Sequence, residues 1–69
     1  MKIKVIEQNQ THDFTVDKHE FAIISSDILT EARWILFPLT DSEKEKHPEH
    51  KGLHTAIKRY EIKTIEISL

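Results

Sequence analysis

Ser25-Ser26-Asp27-Ile28-Leu29-Thr30-Glu31-Ala32-Arg33-Trp34-Ile35-Leu36-Phe37-Pro38-Leu39 fits two secondary-structure templates, and the choice decides where the chain's one tryptophan points. As a helix, Ile28, Leu29, Ala32, Ile35 and Leu36 fall at i, i+1, i+4, i+7 and i+8, an apolar stripe roughly 120° wide, with Ser26 as N-cap and Pro38 as stop. As a strand, the run Trp34-Ile35-Leu36-Phe37 is apolar on both faces, and Pro38 confines it to an edge or a strand end. The stripe favours the helix. Trp34 and Phe37 then lie about 120° or more from the stripe's centre, off the core.

On the N-terminal side, Ile3, Val5 and Ile6 interleave with Lys2, Lys4 and Glu7, the signature of a strand over residues 2–7. A polar, turn-forming stretch, Gln8 to Asp13, leads to Phe14 and Val16 alternating with Thr15 and Asp17, a second strand. Asp17-Lys18-His19-Glu20 then reads as a reversal into Phe21-Ala22-Ile23-Ile24-Ser25, a third strand that completes a meander.

On the C-terminal side, residues 40–52 form a charged connector. Thr40 and Glu43 have capping-box spacing, but no apolar run follows, so any helix there is a solvated turn or two. Leu53, Ala56, Ile57 and Tyr60 fall at i, i+3, i+4 and i+7 and suggest a second, shorter helix. Ile65, Ile67 and Leu69 alternate with Thr64, Glu66 and Ser68 as a last strand, and Ile62 is out of phase, which places a bulge or a helix-to-strand transition near Lys63. The expected fold is α+β, a single domain over 1–69 with about four antiparallel strands and one principal helix; a small all-β, SH3-like barrel is the alternative if residues 31–39 are strand.

Length bounds the energetics. A core of 69 residues rarely supplies more than roughly 3–5 kcal/mol, and with no cysteine a disulfide cannot supplement it, which leaves a partner subunit or a metal. The lack of cysteine suits a reducing compartment, so the expected location is the cytoplasm. The longest uncharged apolar stretch, Trp34 to Leu39, is far short of the roughly 20 residues a bilayer needs. Neither a membrane nor a small-molecule substrate is expected as a partner.

Little in the chain carries chemistry. One glycine excludes phosphate loops and dinucleotide fingerprints, and no glycine flanks a serine to build a nucleophile elbow. No catalytic residue, cofactor or enzymatic activity is assigned. His47, His50 and His54 are spaced by three and four, but Pro48 and Gly52 interrupt any helix that would align them, so no metal site is assigned either. His12 and His19 read as surface residues without a role. Lys58, Arg59, Tyr60 and Lys63 form a basic–aromatic group of the kind that holds nucleic acid. Ten basic residues against twelve acidic ones, with signs interspersed, oppose that use.

Trp34 and Phe37, with the neighbouring Arg33, are the candidate partner-binding residues, because aromatic surface off the core marks interaction sites. The expected function is a non-enzymatic protein-interaction module, an accessory or inhibitory protein that self-associates as a homodimer or binds a larger protein; the alternatives are a small nucleic-acid-binding accessory protein and a domain stabilised by a metal on its histidines.

Overall fold

A computed structural model describes residues 1–49 and 52–69. Strand β1 (Lys2–Glu7) turns through Gln8 and Asn9 into β2 (Thr11–Thr15), the Glu7 amide donating to the Gln10 carbonyl at 2.9 Å. The register sets Ile3 opposite Phe14 and Val5 opposite His12, so one face carries Ile3, Val5, Glu7, His12 and Phe14 and the other Lys2, Lys4 and Asp13. Strand β5 (Ile62–Ser68) pairs antiparallel with the other edge of β1, giving the order β2-β1-β5. A register shift between Ile6 and Glu7, opposite Thr64 and Ile62, leaves Lys63 as the extra residue, the expected bulge.

The chain does not form a third strand after β2. Residues 18–29 are a helix, α1 (Lys18–Leu29), and Asp17 to Glu20 is its capping box: the Glu20 amide donates to Asp17 Oδ1 at 2.8 Å, and the Asp17 amide to Glu20 Oε1 at 2.9 Å. Residues Phe21, Ile24 and Ile28 fall on one face at i, i+3 and i+7, and Ile24 is fully buried. The helix ends at Thr30, whose hydroxyl donates to the Ser26 carbonyl at 2.8 Å, and Glu31 takes a left-handed φ of 55° to turn the chain away.

The favoured helical reading of residues 26–37 is therefore corrected: residues 26–29 are the last turn of α1, whose N-cap is Asp17 and not Ser26, and the helix does not continue into residues 31–37. Trp34–Pro38 is strand β3, paired with β4 (His54–Lys58) in a separate two-stranded sheet. On a helix Phe37 would have faced away from the core. On a strand Ile35 and Phe37 both point inward, and burying a whole phenylalanine outweighs the local helical period. The same pairing overrides the short helix expected around Leu53 to Tyr60. Of its four apolar positions only Ile57 is buried, and the helical turn that does form is a 3-10 turn at Arg59–Glu61.

The core is the space between the two sheets, closed on one side by α1. Ile3, Val5, Phe14 and Val16 meet Ile24, Ile35, Phe37 and Ile57, and the rings of Phe14 and Phe37 stack with centroids 4.6 Å apart. The two sheets do not close, so the fold is the α+β arrangement and not the barrel. Within the connector, α2 (Asp41–Lys46) is the solvated turn or two expected: Thr40 Oγ1 accepts from the Glu43 amide and no residue is buried. No described helix is long and apolar enough to cross a membrane.

Candidate interaction surface

Strand alternation fixes the site. In β3, Ile35 and Phe37 enter the core, so Trp34 and Leu36 emerge on the opposite face, 49% and 40% exposed. Phe37, expected beside Trp34 on the surface, is 0% exposed; it belongs to the core and not to any docking surface. Arg33 remains exposed one residue before the strand.

Register brings to Trp34 a group that is distant in sequence. Trp34 lies opposite Lys58, and beyond that pair the Arg59 amide donates to the Arg33 carbonyl at 2.8 Å. The Lys58 ammonium sits 5.4 Å from the Trp34 ring centroid and 5.7 Å from that of Tyr60, which is 75% exposed. Each contact is worth about 0.5–1 kcal/mol at an exposed site. Trp34 thus joins Lys58 and Tyr60 in one surface, while Arg33 and Arg59 meet through their backbones and the Arg59 side chain lines a cleft with Ile28, Ile35 and Ile62. Lys63 lines a depression with Tyr60, Glu61 and Gln8, and shares the cleft of Arg59. Acidic side chains flank the surface, and Glu31 pairs with Arg59 at 3.9 Å.

Next to Trp34 a groove of about 220 Å³ runs between the hairpin end of β1–β2 and β4, with Glu7, His12, Thr55 and Lys58 among its walls. Its floor holds a pair that sequence reading missed: His12 Nε2 and Glu7 Oε2 share a hydrogen bond at 2.5 Å, with Glu7 only 9% exposed. The signal was present in the period-two pattern, because Glu7 is in phase with Ile3 and Val5, and His12 with Phe14 and Val16. Both face inward, where their mutual hydrogen bond meets the need of each for a partner. The groove is below the roughly 300 Å³ at which ligand pockets begin. The larger depression, about 630 Å³ over the outer face of β1–β2, is wide and polar, and Lys2 and Asp41 on its wall pair with each other.

No cluster of three or more metal-ligating side chains forms among the described residues. His47 instead lies 3.5 Å from Glu43, His54 begins β4, and His50 falls outside the described residues. No protein-family model matches the chain, and the searches of curated proteins and of solved structures found no match.

Proposed function

We propose that this protein is a non-enzymatic interaction module, an accessory or inhibitory protein that docks on a larger protein through Trp34, Lys58 and Tyr60, with Arg33 at the margin. The observation that supports the reading is the position of Trp34. The strand that buries Phe37 turns the one tryptophan outward, beside a lysine held between two rings. Trp, Tyr and Arg dominate interface hot spots, and two rings already fixed on a strand and a 3-10 turn lose little freedom on binding. The Lys58 ammonium between them favours a partner that brings an acidic group to an apolar centre. The same proposal includes a cytoplasmic setting, suited to a chain without cysteine, and needs no cofactor.

A tagged protein, incubated with host lysate with and without nuclease, tests this against a Trp34→Ala control. The expected result is a stoichiometric protein partner, retained after nuclease treatment, whose affinity for the reconstituted variant falls by about 30-fold, the loss of a hot spot worth roughly 2 kcal/mol. Recovery of nuclease-sensitive material, with an affinity that falls steeply with salt, would instead assign the basic–aromatic surface to nucleic acid. A partner that binds Trp34→Ala equally well would remove this surface from the account.

A further inference from the structure

The edges of the two sheets are treated unequally. The open edge of β3 is blunted: the Leu36 amide donates to Asp27 Oδ2 of α1 at 3.1 Å, and Pro38 has no N–H to offer. At the edge of β2, α2 packs alongside and the Lys44 ammonium donates to the Thr15 carbonyl at 3.0 Å. Strand β4 is short and its outer side shares the groove with Gln10 and His12.

Strand β5 has none of these devices. It is the longest strand, seven residues without proline or glycine, and among the described residues no side chain hydrogen-bonds to its backbone. In β1 the Met1 carbonyl and Glu7 amide bond toward β2, so by alternation Lys2, Lys4 and Ile6 bond toward β5, meeting Ser68, Glu66 and Thr64. The N–H and C=O groups of Ile65 and Ile67 then point out from the sheet, with no partner among the described residues. The side chains of these residues lie on the core face, opposite Val5 and Ile3, yet Ile67 is 49% exposed and Leu69 fully so. A cleft between Ile28, Ile62 and Ile65 extends this apolar strip toward α1.

We infer that the open edge of β5 takes a second copy of this chain, pairing antiparallel across a two-fold axis into a continuous six-stranded sheet. The pattern of β5 is self-complementary: antiparallel pairing places isoleucine against apolar side chains on one face and polar against polar on the other. The charges select the register. An axis through Glu66 would set two carboxylates opposite each other, and one through Ile65 would carry the pairing into the bulge at Lys63. An axis through Ile67 avoids both. Ile67 then meets Ile67 of the second copy, Ile65 meets its Leu69, and Glu66, already opposite Lys4, meets its Ser68. The outward-pointing residues are then the hydrogen-bonded ones. This surface is separate from that of Trp34 and does not rest on the proposed function.

Sedimentation of the full chain across a concentration series tests it, with Ile67→Pro as the discriminating variant. The Ile67 amide points away from β1, so proline there removes no bond of the monomer's sheet but deletes one donor from each copy at the two-fold axis. A concentration-dependent dimer is expected, weakened at least about tenfold by Ile67→Pro and unchanged by Trp34→Ala, with circular dichroism of both variants matching the unaltered chain. If Ile67→Pro perturbs the monomer, Ile67→Lys, which puts a charge at the same junction without touching the backbone, must give the same loss. A chain that stays monomeric, a dimer that survives both Ile67 variants, or one lost with Trp34→Ala would each overturn the inference.

Discussion

Trp34 and Phe37 are three residues apart and do opposite jobs, and the difference is strand parity alone. Phe37 is sealed against Phe14, while Trp34 stands over Lys58. Truncating Phe37 removes a stacked ring from a small core, which typically costs about 3–5 kcal/mol, as much as a chain of this length has to lose. Phe37→Ala is therefore expected to be largely unfolded by circular dichroism at 25 °C, whereas Trp34→Ala melts cooperatively close to the unaltered chain. The pair Glu7–His12 follows the same rule of parity. Its inward orientation was legible from residues 2–16, but the polarity of the two side chains drew the reading toward the surface.

At the scale of elements, those whose pattern is local and unopposed were readable. β1 and β5 follow period two, and Ile62 out of phase marked the irregularity that is the bulge at Lys63; β2 was legible only in part, since it begins at Thr11, inside the stretch read as turn, and ends at Thr15. Thr40 and Glu43 announced α2 because its cap is local too. Elements decided by distant partners were not. The run Phe21 to Ser25 suits a strand by composition, and Asp17 with Glu20 suits a turn as well as a capping box; only the inward face of Phe21, Ile24 and Ile28 settles it as helix. β3 and β4 each carry a helical period and become strands by pairing with each other.

α2 is held to β2 by electrostatics, and this attachment is acid-sensitive. Burial raises the Asp41 carboxyl, but hydrogen bonds from the Thr15 hydroxyl and the Lys2 ammonium, with the fields of Lys2 and Lys44, outweigh it and keep the group below its usual value. A carboxylate so depressed stabilises the fold fully above its unfolded pKa, near about 4, and that contribution is lost as pH falls through the folded value. Urea melts of Asp41→Asn should show a deficit at pH 7 of no more than about 1 kcal/mol, as expected of a solvent-screened pair, shrinking toward zero below about pH 4. A deficit that persists in acid would assign the attachment to something other than the Asp41 charge.

For the whole molecule, the α+β class was legible from the mix of periods, but the principal helix was expected at 26–37 and lies at Lys18–Leu29, and the division into two sheets was not legible, because it depends on which strands find each other. The division matters for function. It leaves β3–β4 with one face in the core and one face open, and the open face brings Trp34 to Lys58 and Tyr60, segments some 25 residues apart in sequence. With one tryptophan in the chain, that arrangement can be read directly. Collisional quenching of Trp34 fluorescence in the purified protein, comparing iodide with caesium, is the most direct measurement. An accessible indole under the Lys58 ammonium should emit at long wavelength and be quenched more strongly by the anion. Short-wavelength emission resistant to both ions would place Trp34 in the core and contradict the surface on which the proposed function stands.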